Sequence, residues 1–295
     1  MPAQIIDGKK IAEAVQQEIV TRIQTLKTRG ITPGLAAILV GANPASALYV
    51  QAKTKKCQEL GLFSETIRLP EDTSEKKLLD RIDELNADRR IHGILVQLPL
   101  PKHIRERVVF ETVAPEKDVD GFHPLNRGRL QRGEETFVPC TPAAIHEMIC
   151  RSGFTLNGQH VVIIGRSQIV GLPLALLLVQ KSPTANATVT ICHSGTQHLA
   201  AITTSADILV AAIGRANFVT VDMVRPGAVV IDVGINRMED ATAPKGYRLT
   251  GDVDFARVKE RAVAITPVPG GVGPMTIVML MHNTVRAAER MMQSV

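Results

Sequence analysis

The sequence predicts an α/β protein built on parallel sheets, and three of its features support this fold class. Short, continuously apolar runs alternate with longer stretches whose apolar residues recur at helical spacing, as in parallel sheets covered by helices. No internal repeat, low-complexity tract or long linker interrupts this alternation over the 295 residues. One apolar run, close to residue 160, leads directly into a glycine-containing loop that opens a helix. That pattern is typical of a dinucleotide-binding βα unit.

The first half of the chain contains three predicted strands and the helices that connect them. Two of the strands are short, continuously apolar runs that end in glycine or proline, at residues 34–41 and 92–101, and residues 63–70 are predicted as a further strand between them. The helices have apolar residues at helical spacing and lie at residues 7–29, 45–60, 74–88 and 104–113. Gly30 closes the first helix, and Ser74 is the expected cap of the third.

The helix over residues 45–60 carries the first candidate catalytic residues. The turn and cap residues at its start are Asn43, Pro44 and Ser46. At about 100° per residue, the side that is expected to face the core carries Val50, Thr54 and Cys57. The opposite side is expected to face water and carries Gln51, Lys55 and Glu59. A stripe between the two sides consists of Tyr49, Lys53 and Lys56.

Within this stripe, Lys53 lies nearest the apolar side of the helix. A lysine in that position is partly removed from water, which favours its neutral amine. Tyr49, one turn earlier, offers a flat ring and a hydroxyl donor. Taken alone, this helix is explained more simply as an amphipathic helix whose lysines extend from its flank into water.

Polar residues follow the ends of two predicted elements of the first half. Gln97 comes directly after an apolar strand, and Asp118 and Asp120 lie in a loop closed by glycine and proline. Open parallel sheets bind ligands beyond the carboxyl ends of their strands, so these residues are candidates for a cleft. Ordinary turn chemistry accounts for the aspartates equally simply, because Asp-Gly is a common turn pair.

A second βα series begins near residue 140. A helix is predicted over 141–153, with Thr141 as its cap and Pro142 at its first position. The strand that starts at residue 160 leads into a loop that contains Gly165, Arg166, Ser167, Gly171 and Pro173. Backbone N–H groups at the helix N-terminus after such a loop bind a pyrophosphate. The spacing departs from G-x-G-x-x-G, so a structural βα turn explains this stretch about as well.

The end of the next strand indicates which dinucleotide is bound. An NAD-binding unit places an acidic residue there, which accepts a hydrogen bond from the ribose 2′-hydroxyl. This sequence has His193, Ser194 and Thr196 at that strand end, and Arg166 in the glycine loop. Hydroxyl groups and a guanidinium suit a 2′-phosphate, so the pattern predicts NADP. Later apolar segments complete the series at residues 207–214, 228–236, 251–255 and 262–276, and a final helix is predicted at 275–292.

Composition argues against several other classes of function. Aromatic residues make up 3% of the chain, with no Trp and two Tyr, which argues against a stacking platform for single-stranded nucleic acid. The net charge of +5 is spread along the chain with no basic block, so neither a nucleic acid nor a membrane partner is expected. The four cysteines lack the spacing of a zinc site or a disulfide framework, which predicts a cytoplasmic protein without a bound metal.

Several long segments occur in an order that is particular to one family: NPAS-x-x-Y-V-x-x-K at 43–53, HGILVQLPLP at 92–101, PEKDVDGFHP-x-N-x-GRL at 115–130, PCTP at 139–142, GRS-x-IVG-x-P at 165–173, VIDVGIN at 230–236, GDV at 251–253 and TPVPGGVGPMT at 266–276. With these motifs, essentially the whole chain resembles the bifunctional methylenetetrahydrofolate dehydrogenase/methenyltetrahydrofolate cyclohydrolases. The resemblance implies that NADP oxidises 5,10-methylenetetrahydrofolate to the 5,10-methenyl form, which water then opens to 10-formyltetrahydrofolate.

The resemblance also implies roles for individual residues. The family's catalytic tyrosine, lysine and glutamine match Tyr49, Lys53 and Gln97, and its pterin-binding aspartate matches Asp120. Ser46 matches a motif serine near the same site. Asp118 is expected to be mainly structural. The substrate-binding set is completed by a loop beside the folate pocket, which matches Pro269, Gly270 and Gly273.

The cofactor site and the domain organisation follow from the same resemblance. The implied cofactor-binding residues are Gly165, Arg166, Ser167, Gly171, Pro173, His193, Ser194 and Ile235. Arg166 and Ser194 match the contacts of the 2′-phosphate, a point where members of the family vary. Residues 1–139, completed by a C-terminal helix at 271–295, would form the catalytic domain, and residues 140–270 a Rossmann-type NADP-binding domain. The family resemblance also implies a homodimer.

Two other functions remain open at the level of sequence. One is a monofunctional dehydrogenase that lacks the hydrolytic step, against which the presence of Lys53 and Gln97 argues. The other is a catalytically silent folate- or nucleotide-binding protein, against which Tyr49 and Asp120 also argue. Hydrolysis of methenyltetrahydrofolate in the absence of NADP would exclude a monofunctional dehydrogenase. Any catalytic turnover would exclude a silent binding protein.

Overall fold

The structure, a computed structural model, describes residues 3–240, 242–243 and 246–293. The strands, in chain order, are β1 Gln4–Ile5, β2 Gly34–Val40, β3 Phe63–Leu69, β4 Gly93–Val96, β5 His160–Ile164, β6 Thr188–Cys192, β7 Ile208–Ala211, β8 Val229–Asp232, β9 Asn236–Glu239, β10 Tyr247–Thr250 and β11 Ala264–Ile265. The helices are α1 Gly8–Thr28, α2 Pro44–Leu60, α3 Glu75–Ala87, α4 Glu106–Thr112, α5 Pro124–Gln131, α6 Cys140–Arg151, α7 Gly171–Leu178, α8 Leu199–Thr203, α9 Phe255–Val258 and α10 Val272–Gln293. The predicted α/β class with parallel sheets is confirmed.

The chain divides into two compact units. Unit A consists of Glu13–Cys140 together with the chain from Ile277 onwards, and unit B of Thr141–Thr276 together with the chain up to Ala12. The sequence predicts a folate-binding domain at 1–139 with 271–295 and an NADP-binding domain at 140–270. These boundaries and ligand assignments stay predictions. No helix within the described residues is both long and apolar enough to cross a bilayer.

Unit A contains a three-stranded parallel sheet in the order β3-β2-β4. Strands β2 and β4 are apolar and buried along their whole length, whereas the edge strand β3 carries polar residues and is partly exposed. Leu78, Ile82 and Leu85 of α3 pack in one apolar cluster with Ile38 of β2. As predicted, Ser74 caps α3, because its hydroxyl accepts a hydrogen bond from the N–H of Lys77 at 3.3 Å.

The last helix, α10, packs within unit A from Ile277 onwards. Glu289 of α10 forms a two-pronged ion pair with Arg22 of α1, with N···O distances of 2.6 and 2.9 Å. The sulfur atoms of Met281 in α10 and Cys57 in α2 lie 3.4 Å apart in the core. The predicted return of the C-terminal helix to the first part of the chain is therefore confirmed.

Unit B contains a six-stranded parallel sheet in the order β1-β11-β8-β7-β5-β6. The carboxyl ends of its strands share one edge, which places the loops after β5, β6, β7 and β8 side by side. The chain runs from β5 to β6 at one edge of the sheet and then returns to β7 on the other side of β5. The direction in which strands are added therefore reverses between β5 and β7. Dinucleotides bind at such a reversal in open parallel sheets.

Several predicted details of the elements were wrong. Helix α6 begins at Cys140, so Thr141 lies inside the helix and does not cap it. Helix α10 begins at Val272, three residues before the predicted start, because the glycines at 270–273 do not prevent a helical turn. Segment 251–255 contributes only one bridge, from Val253 to Val219. The β9–β10 antiparallel pair was not predicted, because its strands carry charged residues and lack an apolar run.

Candidate active site

The start of α2 positions the first candidate residues of unit A. Asn43 is the N-cap, and its side-chain oxygen accepts hydrogen bonds from the N–H groups of Ala45 and Ser46 at 3.0 and 3.1 Å. Pro44 occupies the first helical position, where a missing N–H has no cost. The predicted cap chemistry is confirmed. It fixes where the helix begins, and therefore which way every later side chain points.

The faces of α2 agree with the helical sorting of its side chains. Two residues of the predicted core side are fully buried, Val50 and Cys57. The residues of the predicted water side are exposed: Gln51, Lys55 and Glu59. Lys53 is half-buried between them, while Tyr49 is 42% exposed and leaves much of its ring accessible. Burial raises the pKa of the Tyr49 phenol, so its hydroxyl is a donor at neutral pH.

Gln97 connects α2 to the carboxyl edge of the sheet. Lys53 Nζ donates to Gln97 Oε1 at 3.0 Å, across 44 residues of sequence. The same amide donates from Nε2 to the carbonyl of Leu98 at 2.7 Å, which turns its oxygen towards the lysine. The Gln97 N–H donates to the carbonyl of Ile38 in β2. Gln97 therefore holds the Lys53 side chain through a neutral amide acceptor.

Ser46 lies on the same side of the cluster. Its hydroxyl donates to the carbonyl of Leu98 at 3.3 Å, the oxygen that also accepts from Gln97. Ser46 is 4% exposed. It therefore links the first turn of α2 to the segment that follows β4.

Asp120 completes the cluster from the loop between α4 and α5. Burial raises the pKa of its carboxyl to about 6, and the charge of Lys53 acts in the opposite direction. The nearby charge of Asp118 raises the pKa further. Cys140 Sγ donates to Asp120 Oδ1 at 3.6 Å. The structure thus brings Lys53, Gln97 and Asp120 together, as the sequence predicted.

Asp118 has a different environment from Asp120, although only one residue separates them. It is 5% exposed, and its carboxylate accepts from the N–H groups of Phe122 and His123 at 3.0 and 2.7 Å. The side-chain amide of Asn126 donates to it at 2.9 Å. Its acceptor sites are used within the loop, which supports the expectation that Asp118 is structural.

Two buried residues that the sequence did not single out support the Asp120 loop. Asn283 of α10 donates from Nδ2 to the carbonyls of Val119 and Val138, at 2.8 and 3.1 Å. Cys140 Sγ also donates to the carbonyl of Val119, at 3.5 Å. Asn283 lies 164 positions after Val119. No local sequence signal connects the two, and only the packing of α10 reveals the contact.

Unit B contains the predicted glycine loop between β5 and α7. A Cβ at Gly165 would lie 2.2 Å from the carbonyl oxygen of Ala212, and one at Gly171 would lie 2.0 Å from that of Gly165. Gly165 also has a φ of 122°, which other residues rarely adopt. Ser167 Oγ accepts from the N–H of Gly171 at 3.5 Å, at the start of α7. Only glycine fits at either position, because the backbone of this turn packs directly against these carbonyl oxygens.

The residues after β6 lie on the next loop along the same edge. His193 Nδ1 accepts from the N–H of Gly195 at 3.1 Å, and Thr196 Oγ1 accepts from the N–H of His193 at 2.8 Å. Ser194 is exposed in this turn, and Arg166 is exposed in the glycine loop. The strand pairing of β5 with β6 brings these two loops together. A guanidinium and a hydroxyl on neighbouring loops fit the 2′-phosphate of NADP.

The remaining predicted residues also belong to unit B. Pro173 is buried in α7, whereas Ile235, after β8, is 46% exposed. Gly270 has a φ of 106° in the loop that contains Pro269. A Cβ at Gly273 would lie 3.6 Å from Ile235 Cδ1, so this loop approaches the loop after β8. Whether Pro269, Gly270 and Gly273 contact folate stays a prediction.

Within the described part of the chain, no group of three or more His, Cys, Asp and Glu side chains is placed to hold a metal ion. The four cysteines, Cys57, Cys140, Cys150 and Cys192, are free thiols.

Comparison with known protein families matches both parts of the chain. Residues 6–120 match the catalytic domain of tetrahydrofolate dehydrogenase/cyclohydrolase, and residues 139–292 match its NAD(P)-binding domain. Among curated relatives, the bifunctional protein FolD of Dehalococcoides mccartyi strain CBDB1 is 57% identical over 292 residues, which cover 98% of each chain.

Solved structures show the same fold over the whole length. The bifunctional FolD enzyme of Campylobacter jejuni is 45% identical, with a TM-score of 0.92 over 98% of this chain and 99% of that one. The Trypanosoma brucei FolD, solved with NADP cofactor and an inhibitor, is 39% identical, with a TM-score of 0.94 over 99% of both chains.

Proposed function

This chain belongs to the tetrahydrofolate dehydrogenase/cyclohydrolase family, and on that premise we propose how its residues carry out the family's two reactions. The enzyme oxidises 5,10-methylenetetrahydrofolate to 5,10-methenyltetrahydrofolate with NADP, and it hydrolyses the product to 10-formyltetrahydrofolate. The observation that carries the residue assignment is the 3.0 Å bond between Lys53 and Gln97, with Asp120 close enough for the charge of Lys53 to act on its carboxyl.

The oxidation depends mainly on positioning. A folate nitrogen lone pair assists loss of hydride from the methylene carbon, which leaves a delocalised cation, and bound NADP supplies the hydride acceptor. The protein must hold that carbon in place. Asp120 accepts hydrogen bonds from the N–H donors of the pterin ring and so anchors one end of the substrate. The exposed ring of Tyr49 packs against the ligand.

The hydrolysis needs a group that handles protons. Water adds to the methenyl cation, and a proton must then move as the five-membered ring opens. The Lys53 amine is the proposed base or relay, because it is half-buried, is held by Gln97 at 3.0 Å, and lies close enough to Asp120 for its charge to act on that carboxyl. Gln97 is a positioning residue that aims this amine. Ser46 supports Gln97 through the shared carbonyl of Leu98.

The glycine loop and the turn after β6 are the proposed NADP site. The backbone at Gly165, Ser167 and Gly171, at the start of α7, receives the pyrophosphate. Arg166 and Ser194 contact the 2′-phosphate. His193 and Pro173 shape the two loops, and Ile235 contacts the cofactor from the loop after β8. Pro269, Gly270 and Gly273 are proposed to bind folate, as the family resemblance implies.

The quaternary state and the cellular compartment are further parts of this proposal. The family resemblance supports a homodimer, which sedimentation equilibrium tests directly; a monomer at micromolar concentration would contradict it. The free cysteines are consistent with a reducing cytoplasm, and cell fractionation tests that assignment.

Lys53→Met tests the proposed chemistry. Methionine keeps most of the length and the apolar stem of lysine but removes the amine. Cyclohydrolase activity should fall by roughly 10²–10⁴-fold, the contribution of one positioned acid–base group. Dehydrogenase activity should survive in part, so that methenyltetrahydrofolate accumulates when methylenetetrahydrofolate and NADP are supplied. An absorbance assay at two wavelengths, run with NADP, with NAD and without cofactor, measures both steps.

Lys55→Met is the matched control, because the Lys55 side chain is 75% exposed on the water side of the same helix. It should leave both activities near normal. Equal loss of both activities in Lys53→Met would make Lys53 a positioning residue. If a folded, folate-binding Lys53→Met protein hydrolysed methenyltetrahydrofolate as fast as the parent, the proposed proton-handling role of Lys53 would be refuted.

A further inference from the structure

Unit B contains two buried carboxylates that the proposed mechanism does not use. Asp232 is the last residue of β8, and Asp252 lies in the loop after β10. They are 3% and 0% exposed. Burying a carboxylate is costly unless donors surround it, so the partners of these two indicate what they do.

Asp252 binds the loop that follows β7. Its carboxylate accepts from three consecutive backbone N–H groups, those of Ile213, Gly214 and Arg215, at 2.7, 3.0 and 2.8 Å. It also accepts from Nδ2 of Asn236, at 2.9 Å, where β9 begins. One side chain thus holds the turn after β7 and the end of the loop after β8.

Asp232 in turn binds the segment that carries Asp252. Its carboxylate accepts from the backbone N–H groups of Asp252 and Val253, at 2.8 and 3.0 Å. It also accepts from the N–H of Gly234, at 3.0 Å, in the loop after β8. The two carboxylates therefore act in series: Asp232 places Asp252, and Asp252 places the neighbouring loops.

Two glycines show how closely the backbone approaches these side chains. A Cβ at Gly251 would lie 1.7 Å from Asp232 Oδ2, and a Cβ at Gly234 would lie 2.2 Å from Asp252 Oδ1. No side chain fits at either position while the carboxylate stays in place. The loops are thus packed directly against the carboxylates, and small movements of either side chain would move the loops.

The loops that are held in this way lie at the edge of the sheet where the cofactor is proposed to bind. Residues 212–215 follow the carboxyl end of β7, and residues 233–236 follow that of β8. The second loop includes Ile235, an exposed residue of the proposed NADP site. Burial and the charge of Asp252 raise the pKa of Asp232 to about 6, so an ionised Asp232 is costly to bury. That cost is consistent with a role beyond folding.

We propose that Asp232 and Asp252 are positioning residues that hold loops 212–215 and 233–236 in the conformation that binds NADP. They do so without touching the cofactor. This inference rests on the NADP site proposed above. The proposed hydrolysis of methenyltetrahydrofolate at Lys53, Gln97 and Asp120 uses no residue of these two loops as a catalytic group, which gives the test an internal reference.

Asp252→Asn is the test variant, because asparagine has the same shape but presents an NH2 group to N–H donors. The expected result is a rise of about tenfold or more in the Kd of NADP, since a charge-assisted contact no longer holds the competent loop conformation. Isothermal titration calorimetry measures that Kd. The KM for NADP should rise in parallel, while hydrolysis of methenyltetrahydrofolate without NADP should stay within about twofold, because it does not use these loops.

Asp207→Asn is the matched control. Asp207 precedes β7 at the opposite end of the same strand, and its carboxylate accepts from the backbone N–H of His160 at 2.9 Å. This variant should leave the Kd of NADP unchanged, even if it lowers the urea concentration at which half of the protein is unfolded. Should Asp252→Asn not fold, Asn236→Ala removes one of the four donors to Asp252 from a half-exposed position and should raise the Kd of NADP by a smaller factor.

The outcomes separate this inference from the function on which it rests. If the unmodified protein fails to bind NADP, both the cofactor assignment and this inference are refuted. If the unmodified protein binds NADP and the folded Asp252→Asn or Asn236→Ala variant binds it equally well, only the positioning role is refuted. An equal rise in Kd for Asp207→Asn, or an equal loss of hydrolysis in Asp252→Asn, would reduce the pair to ordinary structural residues.

Discussion

Replacing Asp120 by asparagine should make the enzyme more stable and less active. Burial raises the pKa of this carboxyl from 3.8 to about 6, so at neutral pH the folded protein carries a charge that the unfolded chain tolerates better. Because the pKa is raised on folding, the contribution of the carboxyl to stability is complete below about pH 4 and is lost as the pH rises past about 6. Asparagine has nearly the same shape and carries no charge.

The size of the effect follows from the pKa values. A rise from 3.8 to about 6 corresponds to roughly 3 kcal/mol once the carboxyl is fully ionised, which is an upper limit for the gain at pH 7.5. At pH 5 the parent carboxyl is mostly protonated in the folded state, so the difference should shrink to about half. Urea denaturation at the two pH values measures both numbers.

Activity should move in the opposite direction. The pterin donors lose a charged acceptor, so both reactions should slow and folate binding should weaken, while NADP binding stays little changed. Asp80→Asn, on the exposed side of α3, is the control and should change stability by less than about 0.5 kcal/mol. A less stable Asp120→Asn protein, with a difference independent of pH, would refute the burial argument. Loss of one activity alone would refute the anchoring role.

Two further changes test the assignment of neighbouring residues. Ser194→Asp should repel the 2′-phosphate and shift kcat/KM towards NAD, and equal efficiency of NAD and NADP in the unmodified protein would contradict the NADP preference. Asp118→Ala leaves three donors without their acceptor and should cost about 2–4 kcal/mol of stability in urea denaturation. A folate KM that rises more than in Asp120→Asn would show instead that Asp118 binds substrate.

The sequence predicts the parts of this site that depend on local periodicity. The 3.6-residue period places Lys53 at the edge of α2, and the parallel-strand rule places Gln97 at the carboxyl edge of the sheet. Neither pattern joins the two residues: the family resemblance placed Lys53 and Gln97 in one site, and the structure has them 3.0 Å apart across 44 residues of sequence. The identification of Asp120 over Asp118 came from family resemblance, because the two differ only in burial and in bonding partners, which no spacing encodes.

Contacts that depend on tertiary packing could not be predicted in this way. Asp252 lies in a segment that the sequence assigns to the strand series, at 251–255, yet its hydrogen-bond partners at 213–215 lie almost forty residues earlier. The two-residue strand β1 is too short to show a period, and it is defined only by its pairing with β11. The β9–β10 pair carries charged residues on its strands, which conceal the alternation that marks most hairpins.

Asn283 provides the sharpest test of how remote packing supports the chemistry. Asn283→Leu removes the amide donor to the carbonyls of Val119 and Val138. The Val119 carbonyl keeps the weaker thiol donor of Cys140, at 3.5 Å, and the Val138 carbonyl is partly buried. A lost partner at a buried carbonyl costs about 1–3 kcal/mol, partly offset by the apolar surface that leucine buries, so the expected loss in urea denaturation is about 1–3 kcal/mol. Because Val119 precedes Asp120 directly, the folate KM should rise as well, for oxidation and hydrolysis alike.

Asn86→Leu separates loss of stability from loss of position. The Asn86 amide also bridges two backbone groups of unit A, donating to the carbonyl of Thr112 at 2.7 Å and accepting from the N–H of Ala114 at 2.9 Å. Along the chain, Asp118 and its hydrogen bonds lie between the Asn86 bridge and Asp120, and they hold the Asp120 loop independently of that bridge. Asn86→Leu should therefore lower the free energy of unfolding by a similar amount and leave the folate KM unchanged. If the two variants lost stability equally and both kept the parent KM, Asn283 would stabilise the fold without aiming Asp120, and the contacts of Cys140 and Lys53 alone would have to fix the orientation of that carboxylate.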